Sequence, residues 1–158
     1  MAYTARSKDD PGDVGRAADQ QASVDNDAFF RAALIHVQLE PFSFAIASAC
    51  TTGDGKSYLP IPLGLDGLSL IGIHGEVETA GVTTTMDVQV HNITQAVDML
   101  STKLTWDSTE TGTDTAATPA VIKSNGDEVV AAYDVLRLDF DSIHTTPATG
   151  CIVTLRFG

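Results

Sequence analysis

Basic residues are scarce in this chain. Nine Lys and Arg stand against 21 Asp and Glu, a formal net charge of −12. A surface so acidic does not seek phosphate, which argues against nucleic acid as a partner. Two cysteines in 158 residues cannot build the disulfide framework of a small secreted domain. No run approaches the ~18 consecutive apolar residues of a membrane span. Nor does a basic stretch followed by an apolar one open the chain, so no secretory signal is expected. What is present is apolar material: 43% of residues are hydrophobic and 19% charged. That suffices for a core and excludes wholesale disorder. The length suits one domain, or one domain and an arm.

Composition changes near residue 33. Residues 1–32 are polar, acidic and rich in Ala, Asp and Gln. Asp9-Asp10-Pro11-Gly12 is a turn signal, because Pro presets φ and Gly permits φ > 0. Asp13 can cap the helix expected over residues 16–31, with Asp19 near its start and Arg31 near its end, as the macrodipole prefers. Its apolar face is thin until Phe29-Phe30. A helix this poor in large apolar residues is marginal alone, so residues 1–32 read as an extended or helical arm that gains order against a partner.

From residue 33 the period becomes two. Runs begin at Leu34-Ile35, Phe42, Tyr58, Leu68, Thr83, Leu100, Ala120, Val129, Val135 and Gly150. Met86, Val88 and Val90 face one way; so do Leu136, Leu138 and Phe140, and Val153, Leu155 and Phe157. Pro60 and Pro62 suit an edge strand, and Gly72 and Gly75 suggest a bulge or a close backbone approach. Gly53-Asp54-Gly55, Asp66-Gly67, Asn125-Gly126-Asp127 and Thr149-Gly150 punctuate the runs. Gln95 to Leu100 is expected to make one helical turn in a crossover. Short alternating strands separated this way predict an all-β fold, an antiparallel β-sandwich over residues 33–158. Few Lys guard the strand edges, so the edges are expected to be covered in an oligomer.

The motifs with chemical potential mostly fail on context. Thr52-Gly53-Asp54-Gly55-Lys56-Ser57 ends like a phosphate loop, but Cys50 stands where the first Gly belongs and Pro60 and Pro62 forbid the following helix. A hairpin turn is expected instead. Asn92-Ile93-Thr94 matches a glycosylation sequon and is expected to be a strand-end turn. His36, His74, His91 and His144 show no metal-ligand spacing, and no Asp-rich calcium loop is present, so no metal or cofactor is expected. Asp139 and Asp141 share a strand face, and Asp107, Glu110 and Asp114 lie in a Thr-rich loop; solvated acidic surface is the expectation for both groups. No nucleophile elbow or reactive-cysteine motif is found. Cys50 and Cys151 read as two buried thiols rather than a disulfide. Trp106 lies in an alternating strand and reads as core. An enzyme is not expected.

Two stretches carry a resemblance. Asp13-Val14-Gly15-Arg16-Ala17-Ala18-Asp19-Gln20, with Val24-Asp25-Asn26-Asp27-Ala28-Phe29-Phe30, resembles anchoring segments at the start of phage tail and head accessory proteins. The body from Gly75-Glu76-Val77 through Val88-Gln89-Val90 to Cys151-Ile152-Val153 is similar to jelly-roll modules of phage decoration proteins, head fibres and receptor-binding tips. The resemblance implies a small structural protein of a tailed-bacteriophage virion: an N-terminal anchor and an outward jelly-roll body, commonly a homotrimer. It implies a capsid decoration (cement) protein on the outer surface of the capsid, bound to the major capsid protein or another virion protein. A tail-associated module that binds a receptor or host glycan is the alternative. Val14, Phe29 and Phe30 would then be apolar anchors of the arm, and Arg6, Lys8, Arg16 and Arg31 would meet acidic groups on the partner.

Overall fold

A computed structural model describes the backbone of residues 33–38 and the whole of residues 48–158. The arm expected over residues 1–32, its helix over 16–31, and the Phe42–Phe44–Ile46 alternation lie outside the described residues.

The body, Ala33–Gly158, is all-β and sandwich-like. Its strands are β1 (Ala33–Gln38), β2 (Gly53–Pro60), β3 (Leu70–Glu76), β4 (Met86–Asn92), β5 (Val97–Asp98), β6 (Leu100–Thr102), β7 (Leu104–Trp106), β8 (Val121–Ile122), β9 (Val135–Ser142) and β10 (Ile152–Phe157). One sheet has the order β1-β10-β3. A larger one runs β2-β9-β4-β5, with β7 also paired to β4. A ribbon of β6 and β8 completes the set, and every pairing between these strands is antiparallel.

The alternation sets the core. Met86, Val88 and Val90 are fully buried on β4, beside Leu136, Leu138 and Phe140 of β9. Val88 lies opposite Phe140 and Val90 opposite Leu138. From the smaller sheet, Val153, Leu155 and Phe157 of β10 join the same cluster. The two sheets meet closely at Gly75. This residue pairs with Val153, and a Cβ there would overlap the indole of Trp106. The close approach expected at Gly75 is therefore real: the missing side chain makes room for the ring. Trp106 is fully buried, as its strand position predicts.

Four local expectations are corrected. Gln95 to Leu100 forms no helical turn. Ala96 takes φ +58°, the Asn92 side chain accepts the Gln95 N–H at 3.2 Å, and β5 begins at Val97. A left-handed residue breaks a right-handed turn. The run from Leu100 to Trp106 divides at Lys103, because Leu100 and Thr102 pair with β8 while Leu104 to Trp106 pair with β4. Val129 makes only an isolated bridge, to Ser69, and residues 129–132 form no strand. The Asp134 carboxylate takes the Ala131 N–H and Tyr133 takes φ +69°, so the chain turns there. Finally, Gly53-Asp54-Gly55 is a bulge inside β2, not a hairpin. Gly53 faces Phe140 and Ser57 faces Leu138, leaving two extra residues on β2. Both glycines have positive φ, the conformation that makes them suited to a bulge.

Candidate interaction surface

The outer face of the larger sheet is polar, and its side chains are ordered by the register. Tyr58, Arg137, His91 and Asp98 form one row, each from a different strand. Arg137 donates through Nε to Asp139 Oδ2 at 2.9 Å and through Nη2 to Asp54 Oδ2 at 3.1 Å. Asp139 uses its other oxygen to accept the Gly55 N–H at 2.8 Å. The bulge in β2 thus serves a purpose: it points a backbone donor at a carboxylate that is otherwise buried. His91 Nδ1 lies 2.7 Å from Asp98 Oδ1.

The next positions continue the pattern. Gln89 stands opposite Asp139 and is buried. Its amide pairs with the backbone of Leu100, donating to the carbonyl and accepting the N–H, both at 3.2 Å. Asp87 accepts from the Thr105 hydroxyl at 2.8 Å and from the Ser142 hydroxyl at 2.7 Å. At the rim Lys103 meets Asp141 at 2.8 Å, and that hydrogen bond raises the lysine above its ordinary pKa. Five carboxylates (Asp54, Asp87, Asp98, Asp139 and Asp141) therefore share this face with the cations Arg137 and Lys103. Each carboxylate has a protein partner. The face presents oriented, satisfied charge, which suits recognition better than proton transfer.

One end of the sandwich carries exposed apolar groups. Tyr133 is 74% exposed and Leu63 66%, while Tyr58, in the outer row of the larger sheet, is 57% exposed. The Tyr133 N–H donates to Ile61 O at 2.8 Å and the Ala132 N–H to Asp66 Oδ1 at 2.8 Å, so the Tyr133 loop is tied to the Leu63 segment. Beneath it is a buried node. Asp134 Oδ2 accepts from Asn92 Nδ2 at 2.8 Å, Gln95 Nε2 at 2.6 Å and the Ala131 N–H at 2.9 Å. Burial pushes the Asp134 carboxyl up, but the three hydrogen bonds outweigh it and hold the group below the ordinary carboxylate value.

The arm residues Arg6, Lys8, Val14, Arg16, Phe29, Phe30 and Arg31 lie outside the described residues. The other sequence candidates are placed. Lys56 of the phosphate-loop look-alike bonds the Thr51 hydroxyl at 2.9 Å within a strand, not at a helix start. Asn92 of the sequon is fully buried and spends its amide on Asp134, at the strand-end turn expected of it. Asp139 is buried while Asp141 is exposed and paired with lysine, so the two do not act together. Asp107 accepts the Ala117 N–H at 2.7 Å and Glu110 the Thr115 hydroxyl at 2.5 Å, bracing the Thr-rich loop from within. His74 pairs with Glu76 at 2.9 Å, and His144 is buried against Gly81. Among the described residues no three His, Cys, Asp or Glu side chains converge to hold a metal ion.

The Asp134 node and the Gln89–Leu100 pairing escape sequence reasoning. Each joins residues brought together by strand order, and neither leaves a local motif. The chain matches no family model, no curated protein and no solved structure.

Proposed function

We propose that this chain is a bacteriophage virion structural protein, a capsid decoration protein whose residues 1–32 dock on the major capsid protein and whose jelly-roll-like body projects outward as a homotrimer. The observation that supports this reading best is the outer face of the larger sheet. It is acidic, and its charges are paired within the chain, a character that favours solubility on an exposed particle surface. The resemblance of residues 13–30 to virion anchoring segments supplies the docking element. Arg6, Lys8, Arg16 and Arg31 would meet acidic capsid groups, with Val14, Phe29 and Phe30 as apolar anchors. Binding that exists only on the assembled shell stabilises that shell by linkage. The test is deletion of residues 1–32 followed by retention on purified particles. Loss of binding is expected; full retention by the truncated body overturns the anchor.

A second reading is a tail module that binds host glycan. The exposed Tyr58 and Tyr133 favour it, since sugar rings stack on accessible aromatic faces. Copy number separates the two: hundreds per particle for decoration, a few to a few dozen for a tail component.

A further inference from the structure

Tyr133 stands where folding gives it little reason to be. The Asp134 N–H donates to Ala131 O at 3.1 Å, closing a four-residue turn whose third residue is Tyr133. That residue takes φ +69°, the left-handed region in which glycine is the usual occupant of such a turn. A bulky side chain there is strained and persists only where its surroundings over-determine it. They do so here. The Tyr133 N–H donates to Ile61 O at 2.8 Å and the Ile61 N–H to Asp134 O at 2.7 Å. The Ala132 N–H donates to Asp66 Oδ1 at 2.8 Å and the Ala131 N–H to Asp134 Oδ2 at 2.9 Å. The core gives the ring nothing in return, since Tyr133 is 74% exposed. Neither backbone preference nor packing accounts for a tyrosine at this position. A rigid turn holds an aromatic ring out in solvent.

We propose that Tyr133 is the stacking platform of a binding site for neutral pyranose sugars. The proposal rests on the glycan-binding reading above and not on where the chain sits on a particle. A pyranose has a C–H face that packs on an aromatic ring and a rim of hydroxyls that need hydrogen-bond partners. Such partners flank the ring. Asp66 is bonded to the residue before Tyr133, and Gln95 Nε2 donates to Asp134 Oδ2, on the residue after it, at 2.6 Å. Both side chains are exposed, and among the described residues Asp66 Oδ2 and Gln95 Oε1 make no hydrogen bond. Each can accept from a sugar hydroxyl. The sugar class follows from charge. Residues 60–67, 92–96 and 129–135, the segments that meet here, contain Asp66 and Asp134 but no Lys or Arg. A uronic or sialic acid brings a carboxylate to a site with no cation to receive it, and a neutral ring meets no such repulsion. One ring and a few polar groups suffice for a sugar, whereas a stable protein contact needs about 800 Å² from each partner.

The test screens the purified full chain on an array of neutral and anionic bacterial-surface oligosaccharides. Titrations with the methyl glycosides of galactose, glucose, mannose and N-acetylglucosamine, and with N-acetylneuraminic acid, follow by protein NMR. Binding of a neutral glycoside is expected, with chemical-shift changes centred on Tyr133, Asp66 and Gln95. Tyr133→Gly is the decisive variant, because glycine adopts positive φ without strain and removes the ring while keeping the turn. It should keep or raise the melting temperature and weaken binding about tenfold or more. Tyr58→Ala, at the other exposed tyrosine of the body, should bind as the natural chain does. If nothing on the array binds, the glycan reading and this site fall together. If sugar binds and Tyr133→Gly binds it equally well, the reading stands and this site is overturned. A preference for N-acetylneuraminic acid overturns the neutral class. A changed oligomeric state in Tyr133→Gly, with no sugar bound by the natural chain, makes the ring a protein contact and overturns the proposal as well.

Discussion

The larger sheet has two faces of opposite character. On the inner face Met86, Val88, Val90, Leu136, Leu138 and Phe140 are held by burial. On the outer face Arg137, Asp139, Gln89 and Asp87 are held by directed hydrogen bonds. The inner face tolerates inexact partners, because dispersion and water exclusion have no preferred direction. The outer face does not, because an acceptor without its donor keeps the cost of desolvation. The two faces should therefore respond to mutation in different ways: one loses area and volume, the other loses specific partners.

The largest effect is expected on the inner face. Leu138→Ala removes a side chain that pairs with Val90 and Ser57 on the neighbouring strands. The loss combines transfer energy with an unfilled cavity, about 2–5 kcal/mol. Denaturant unfolding should show the midpoint falling with little change in slope. A loss under 1 kcal/mol would mean that the sheets are not packed through this residue.

The next effect concerns a polar residue that behaves like core. Asp134→Ala leaves the Asn92 amide, the Gln95 amide and the Ala131 N–H without their shared acceptor. Only the Asn92 amide is buried, and stranding it costs about 1–3 kcal/mol; the exposed Gln95 and Ala131 donors can turn to water, so a total of about 2 kcal/mol is expected. The same node predicts a pH dependence. The folded carboxyl titrates below its unfolded value, so its contribution is complete above the unfolded value of about 3.9 and is lost as pH falls through the folded one. Acid titration of unfolding should therefore be less steep in the Asp134→Asn variant than in the natural chain. Equal acid sensitivity in both would remove Asp134 from the account.

The contrast also explains what could be read from the chain. Alternation in Met86-Asp87-Val88-Gln89-Val90 states which residues point inward, and they do. It does not state that Gln89 will be buried on the outward side, because that depends on Leu100 passing beside it. The edge placement of β2 was legible from Pro60, since proline cannot donate to a ladder. The bulge was not, because Gly-Asp-Gly suits a hairpin equally well until the Arg137–Asp139 pair supplies a reason for the extra residues. Val129 to Ala132 looked like a strand by composition. A single acceptor from Asp134 was enough to turn it, since a four-residue run gains little from the sheet.

A smaller effect is expected where the sheets touch. In Gly75→Ala the added methyl overlaps the Trp106 ring, which is buried and has little room to shift. Overpacking of this kind costs about 1–3 kcal/mol. Trp106 is the single tryptophan, so its fluorescence reports the displacement directly. An unshifted emission spectrum with unchanged stability would separate β3 from β7 and weaken the sandwich description.

The smallest effects give the sharpest comparison, because they delete the same atom from each face. Ser57 points inward opposite Leu138, and among the described residues its buried hydroxyl has no hydrogen-bond partner. Ser142 points outward and donates to Asp87 Oδ2 at 2.7 Å. Ser142→Ala removes a hydrogen bond to a charged acceptor and should cost about 1 kcal/mol, reduced by the remaining Thr105 donor. Ser57→Ala removes a polar atom that burial penalises, and should leave stability unchanged or raise it by up to about 1 kcal/mol. Equilibrium unfolding of the two variants side by side measures the difference in sign. If both lose stability equally, the hydroxyl of Ser57 has a partner, and the division between a non-directional inner face and a directed outer one does not hold at that strand.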